Sequence, residues 1–255
     1  MRKRVLLLIG GILLSRVILE GNEIPPTPPT PPVPDTPLAA PTSFGTIEVQ
    51  NAIYDAFGKW IVAGDGDIIY IGRRGTQHTV EVAGKIRKWV SDDGGATWDQ
   101  SDIADSANHD DRGPSPGIVS ATDTIVLFYS RYNVAGGAWT DIRYLRSTDD
   151  GDNFTDLGTI DVGADTVFSP YGPLVELPSG KLMQSFYGNN GAGTYRVFVQ
   201  YSSDDGLTWG DGINVVSGAT AYTECAIAFV SGSTDNTAKL VGVSRINGGS
   251  LTQFS

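Results

Sequence analysis

The stretch SDDGGATW occupies residues 91–98 and recurs as STDDGDNF at residues 147–154 and as SSDDGLTW at residues 202–209. All three copies fit the pattern S-x-D-x-G-x-[TN]-[WF], and their first residues lie 56 and then 55 residues apart. A pattern that returns at a nearly constant interval indicates a chain built from repeats of one structural unit.

The residue types in this pattern are those of a tight hairpin turn. An aspartate can accept hydrogen bonds from backbone N–H groups, a glycine permits a positive φ, and the final aromatic residue packs back on the sheet. We therefore predict that Asp93, Asp149 and Asp204 hold turns together and are not catalytic acids.

Short apolar or alternating runs surround each turn, three before it and one after it, and no segment shows a helical period over ten or more residues. The first run of each repeat is expected at residues 60–63, 117–121, 173–177 and 226–230. Four-stranded units of this length, repeated along the chain, predict an all-β fold, the β-propeller.

The predicted blades span about residues 44–110, 111–166, 167–220 and 221–255. A further copy of the turn would fall at about residue 257, beyond Ser255. The sequence therefore predicts about 3.5 blades of a longer, truncated propeller.

The N-terminal region has a different composition. Residues 1–20 begin with MRKR and continue with an apolar run at residues 5–15, which is typical of a secretory signal; a membrane span needs roughly 20 apolar residues. An uncleaved anchor and a buried segment of a larger assembly are the alternatives. We expect a secreted or extracellular protein, or else a membrane-anchored or virion-associated one. The proline-rich residues 21–43 predict a semi-rigid linker.

The composition excludes several partners and cofactors. A net charge of −11 argues against a nucleic-acid partner, and a membrane contact is expected only through the N-terminal segment. Cys225 is the single cysteine, so no intrachain disulfide can form. With two histidines and one cysteine the sequence predicts no zinc-type metal site, and we expect no cofactor. The oligomeric state stays open.

The turns, the repeat length, and the segments TECAIA at residues 223–228 and GVSR at residues 242–245 resemble the sialidase (neuraminidase) superfamily. The resemblance covers about residues 44–255. It implies a six-bladed propeller and an exo-α-sialidase-like glycoside hydrolase that acts on terminal sialic acid, or a related anionic sugar, of a sialoglycoconjugate. In that family three arginines hold the substrate carboxylate, a tyrosine paired with a glutamate is the nucleophile, and an aspartate is the acid/base.

Matched position by position, the resemblance assigns Glu224 to the glutamate that activates the tyrosine and Arg245 to the second arginine. The place of the first arginine reads YDAFGK at residues 54–59, and the acid/base loop, TQHTVE at residues 76–81, has no aspartate. Glu81 or His78 could substitute for the aspartate. The family's tyrosine and third arginine would lie in blades beyond Ser255.

Arg112 and Arg74 are further candidates for binding an anionic sugar. The first strand of each blade is the inner strand, nearest the propeller axis. Both arginines are expected at the end of the propeller where the inner strands begin, together with Glu224 and Arg245 and away from the turns. Asp110 and Asp111 are expected to cap a turn. Two other functions stay open: a sialidase-like propeller that binds glycans without cleaving them, and a structural propeller of a secreted or virion assembly.

Overall fold

The computed structural model describes residues 7–9, 12–14, 53–247 and 250–254. The chain divides into two compact units, Met1–Gly45 and Thr46–Ser255. In the first unit, β1 (Leu7–Ile9) and β2 (Ile12–Leu14) pair in antiparallel orientation. The predicted linker lies outside the described residues, and the described part of the chain has no helix long and apolar enough to cross a membrane.

The second unit is a series of four antiparallel sheets in chain order, which are the predicted blades. Blade 1 comprises β3 (Tyr54–Val62), β4 (Ile68–Gly75), β5 (Lys85–Ser91) and β6 (Asp99–Ala104). Blade 2 comprises β7 (His109–Val119), β8 (Thr124–Asn133), β9 (Ala138–Ser147) and β10 (Thr155–Ile160). Blade 3 comprises β11 (Val167–Pro170), β12 (Val175–Glu176), β13 (Leu182–Asn189), β14 (Tyr195–Ser202) and β15 (Ile213–Gly218). Blade 4 comprises β16 (Tyr222–Ser231), β17 (Lys239–Ile246) and β18 (Ser250–Phe254), with a 3-10 helix at Asp235–Thr237 between its first two strands.

Apolar layers join neighbouring blades. Ile69 and Ile71 of blade 1 pack with Ile125 and Leu127 of blade 2, and all four side chains are fully buried. Equivalent layers join blade 2 to blade 3 and blade 3 to blade 4. Strand residues alternate between the two faces of a sheet, so each blade can supply apolar side chains to both of its neighbours.

The three turns of the S-x-D-x-G-x-[TN]-[WF] pattern, called Asp boxes from here on, have the predicted construction. The Asp204 carboxylate accepts hydrogen bonds from the Ser202 hydroxyl at 2.7 Å, from Thr208 N at 2.9 Å and from the Thr208 hydroxyl at 2.5 Å. Asp93 and Asp149 make the same set of contacts in their own turns. The prediction that these aspartates hold turns together is confirmed.

In two of the turns, the residue that follows the turn-holding aspartate forms hydrogen bonds with the preceding blade. The Asp150 carboxylate accepts a hydrogen bond from Gly64 N at 3.0 Å. The Asp205 carboxylate accepts one from the Thr122 hydroxyl at 2.8 Å and also pairs with Arg146. Blades 2 and 3 are therefore each bonded to the preceding blade at the Asp-box end.

The inner strands begin earlier than the sequence predicted, and each is interrupted near its start. Strand β3 begins at Tyr54 where Trp60 was expected, and β7 begins at His109 where Gly117 was expected. A β-bulge interrupts the pairing of β3, β7 and β16, and in blade 3 a break separates β11 from β12. Polar, glycine and proline residues at these irregularities obscured the strand pattern, because a bulge adds residues that do not fit a period of two.

Candidate active site

The topology sets the site at the end of the blades opposite the Asp boxes. Each Asp box joins the third and fourth strands of an antiparallel blade. The loops between second and third strands, such as residues 76–84, therefore lie at the other end, together with the connections between blades. Inner strands β3, β7, β11 and β16 begin there, so their first residues meet around a common opening.

An open cavity of about 180 Å³ lies at this opening. All four blades contribute to its lining: Phe57, Lys59, His78, Arg112, Gly113, Pro114, Trp139, Ser169, Tyr171, Tyr187 and Glu224. Aromatic walls with a few charged groups are the usual composition of a pocket for a small polar ligand.

Glu224 and Arg245 form an ion pair across strands β16 and β17. Arg245 Nε lies 2.8 Å from Glu224 Oε2, and Arg245 Nη2 donates to Glu224 Oε1 at 3.0 Å. The Glu224 side chain is 34% exposed and also lines the cavity, so it remains available to a ligand. The two residues lie close together, as expected, and the Arg245 side chain, 44% exposed, is not among the residues that line the cavity.

Arg112 lines the cavity in an orientation fixed by its neighbours. Its Nη1 donates to Asp110 Oδ2 at 2.9 Å, and its Nη2 donates to the His78 carbonyl at 3.0 Å. Asp110 is fully buried and also pairs with the fully buried Arg73 at 2.8 Å. Asp110 is therefore half of a buried ion pair that positions Arg112, in place of the predicted turn cap. Its neighbour Asp111 accepts a hydrogen bond from Ser106 N at 2.9 Å.

Glu81 holds its own loop and does not line the cavity. Its carboxylate accepts hydrogen bonds from Thr76 N at 2.5 Å and Gln77 N at 3.2 Å, and Arg73 Nη2 lies 3.3 Å away. Burial acts to raise the pKa of Glu81, but the hydrogen bonds from Thr76 and Gln77 and the charge of Arg73 outweigh it and lower the pKa. A carboxylate kept ionised is a poor general acid. Of the two acid/base alternatives, only His78 lines the cavity.

Arg74 does not line the cavity, contrary to the expectation. Its guanidinium pairs with Asp55 through two hydrogen bonds of 2.9 Å and stacks over Trp89, 5.1 Å from the ring centroid. Adjacent strand residues point to opposite faces. Because Arg73 points toward Asp110 of blade 2, Arg74 must point to the other face of blade 1.

Lys59 is a cavity residue that the sequence reasoning missed. Its ammonium lies 4.5 Å from the Tyr171 ring centroid, and among the described residues no carboxylate forms an ion pair with it. Burial lowers the pKa of Lys59 to about 8, against the opposing influence of Cys225 and Glu224. The signal was present in the sequence, because Lys59 ends the segment in which a cation was sought and only arginine was considered.

Two tyrosines line the cavity beside Glu224. Burial, reinforced by the Glu224 charge, raises the pKa of Tyr171 to about 12 and that of Tyr187 to about 12. Both hydroxyls are therefore protonated at neutral pH and can act as hydrogen-bond donors. Tyr171 falls in the segment that opens blade 3, but its sequence gave no sign of its orientation.

The architecture and the cavity define a sialidase-like β-propeller. The model of the family described as BNR repeat-like domain matches residues 72–245, which is more than half of the chain. The chain belongs to this family. No curated protein matches it by sequence.

Solved structures share the fold at low sequence identity. The Hadza microbial sialidase superposes with a TM-score of 0.65 at 17% identity, over 79% of this chain and 44% of that one. The Trypanosoma rangeli sialidase in complex with the inhibitor DANA gives 0.60 at 14% identity, over 78% and 36%. The Penicillium chrysogenum α-L-arabinanase complexed with arabinobiose gives 0.54 at 16% identity, over 76% and 63%. The present chain thus spans less than half the length of the two sialidases.

Proposed function

We propose that the cavity binds a terminal anionic sugar of a glycan, sialic acid or a related acidic sugar, and that the protein is a glycoside hydrolase of the exo-α-sialidase type. One observation carries the proposal: blades 1, 2 and 4 bring Lys59, Arg112 and Glu224 to the same opening. On a chain with a net charge of −11, two cations in one cavity favour an anionic ligand locally.

The cations have different parts in this proposal. Lys59 has no carboxylate partner among the described residues, so its ammonium is available for the ligand carboxylate. Arg112 is held by Asp110 and the His78 carbonyl, which makes it a pre-oriented donor at the cavity wall. Arg245 fixes the orientation of the Glu224 carboxylate. A site whose donors are already in place binds without the cost of ordering them.

Glu224 is the group best placed to move a proton during hydrolysis. A carboxylate can accept the proton of a tyrosyl hydroxyl as that hydroxyl attacks the anomeric carbon, which is the role that the resemblance assigns to Glu224. A neutral attacking group also avoids repulsion by the substrate's own carboxylate. Protonation of the leaving oxygen requires an acid, and we assign this role to His78 because Glu81 is held ionised in its loop.

Binding without cleavage is the second candidate. It is favoured by the hydrogen bonds that occupy both oxygens of Glu81 and by the lysine that stands in the segment where the family has arginine. Such a protein would recognise a sialoglycoconjugate through the same cavity.

Calorimetry and a fluorogenic sialoside separate the candidates. The proposal predicts that the complete propeller binds N-acetylneuraminic acid more tightly than its methyl ester or the neutral arabinobiose, and that it releases the fluorophore. Glu224→Gln should abolish release and leave the affinity nearly unchanged. Binding without release would leave the second candidate, and equal affinity for acid and ester would remove the anionic-sugar site.

A further inference from the structure

The four inner strands provide a comparison within one molecule. Each is irregular at the same place near the opening, and each has one residue there with a positive φ. These residues are Phe57 with φ of 58°, Gly113 with 59°, Gly172 with 83° and Glu224 with 48°. The same backbone geometry thus holds glycine in blades 2 and 3 and a large side chain in blades 1 and 4.

Glycine is the residue expected at this position. A positive φ places a Cβ close to the backbone, so a side chain there is held under strain of about 1–3 kcal/mol. Blades 2 and 3 also leave no room: a Cβ on Gly113 would lie 2.9 Å from the Ser169 hydroxyl, and one on Gly172 would lie 2.9 Å from Ala226 Cα. Residues that keep such strain cluster at functional sites.

The proposed function accounts for Glu224 but not for Phe57. Phe57 belongs to none of the three apolar clusters formed by the described residues, and it is 36% exposed. Its ring contacts His78, with centroids 5.5 Å apart, and the Arg112 guanidinium carbon, 5.5 Å from its centroid. The ring therefore has neighbours that hold it at the cavity wall, and it remains partly exposed there.

We propose that Phe57 is a ligand-contacting residue whose ring, supported by His78, packs against the apolar C–H face of the bound sugar. The inference rests on the proposed function, in that the cavity must bind a sugar. A pyranose ring presents polar edges and an apolar face. The charged groups Lys59, Arg112 and Glu224 bind the polar edges of the sugar ring, and Phe57 buries its apolar face. The residue thereby selects for the shape of the sugar ring, independently of its charge.

The variant Phe57→Gly tests this role, because glycine relieves the strain while removing the ring. We expect the affinity for N-acetylneuraminic acid, measured by calorimetry, to fall about tenfold, which is the effect of losing about 1.4 kcal/mol of apolar burial. The affinity for the methyl ester should fall by the same factor, since the ring does not sense charge. Phe57→Trp should restore most of the affinity. The Tm of Phe57→Gly should equal or exceed that of the unaltered protein.

Phe229 supplies a matched control. It is an aromatic residue of similar exposure, 38%, on strand β16, and it does not line the cavity, so Phe229→Ala should leave both affinities unchanged. If the unaltered protein binds the acid and Phe57→Gly binds it equally well, the ligand-contacting role is wrong and the proposed function stands. A lowered Tm in Phe57→Gly would assign the ring to packing and overturn the inference. If the unaltered protein binds neither acid nor ester, the proposed function fails and the inference fails with it.

Discussion

The two ends of the blades differ in how strictly they follow the repeat. At the Asp-box end, Asp93, Asp149 and Asp204 occupy equivalent turns with equivalent hydrogen bonds. At the cavity end, each blade has a different side chain at the opening: Lys59 in blade 1, Arg112 in blade 2, Tyr171 in blade 3 and Glu224 in blade 4. Residues that repeat from blade to blade therefore lie at the end that builds the fold. Residues that differ from blade to blade lie at the end that is available for binding.

This difference predicts that substitutions at the two ends separate stability from binding. Asp-box variants should change the free energy of unfolding and leave ligand affinity unchanged, and cavity variants should do the reverse. One cavity-end group should break the rule, because the Arg73–Asp110 pair is fully buried and also positions Arg112.

The largest effect is expected from Arg73→Met. It leaves the Asp110 carboxylate buried with its main partner removed, which should lower the free energy of unfolding by about 3–5 kcal/mol in denaturant titrations. Arg131→Met is the matched control, since the Arg131–Asp141 pair is 24% and 16% exposed and should contribute about 1 kcal/mol or less. Equal losses in the two variants would mean that the burial of Asp110 has no special cost.

The Arg73–Asp110 pair also shows which features could not be predicted from the sequence. The turns were predictable because their chemistry is local, with every partner of the aspartate within four residues. The orientation of Arg74 was not, because it depends on which face of the strand points at blade 2, and the partner that decides this, Asp110 beside Arg73, lies 37 residues away in sequence. That Glu224 and Arg245 lie close together was predictable from the resemblance, whereas the sequence shows a cation at Lys59 but not the direction of its side chain.

The next largest effect is expected from Lys59→Met at the cavity. Removing the ammonium should weaken binding of N-acetylneuraminic acid by about 1.5–3 kcal/mol, the range for hydrogen bonds to charged groups, and should not weaken binding of the methyl ester. Lys181→Met is the control, because Lys181 also lies over a tyrosine ring, at 5.8 Å from Tyr201, but outside the cavity. A parallel loss for acid and ester would show that Lys59 shapes the cavity without sensing charge.

A smaller effect is expected from Asp204→Ala at the opposite end. The variant removes the acceptor for Ser202 and for two groups of Thr208, which should lower the free energy of unfolding by about 1–2 kcal/mol. Asp211→Ala, two residues beyond the turn and exposed, should change it little. Calorimetric affinity should be unchanged in both variants, and a weakened affinity in Asp204→Ala would contradict the separation of the two ends.

The smallest effect is a pH dependence of binding that belongs to the cavity end alone. Burial lowers the pKa of Lys59 to about 8, with Glu224 and Cys225 partly opposing the shift, so the ammonium is mostly protonated at pH 7 and mostly neutral at pH 9. A ligand carboxylate binds the protonated form, and affinity for the acid should therefore be retained at pH 7 and below and fall by up to about tenfold between pH 7 and pH 9. The nearby Tyr171 does not titrate in this window, because burial raises its pKa to about 12.

Lys59→Arg should remove the decline, since a guanidinium keeps its charge at pH 9. A decline that persists in Lys59→Arg would place the titrating group elsewhere, and Asp204→Ala, with the cavity intact, should retain the pH profile of the unaltered protein.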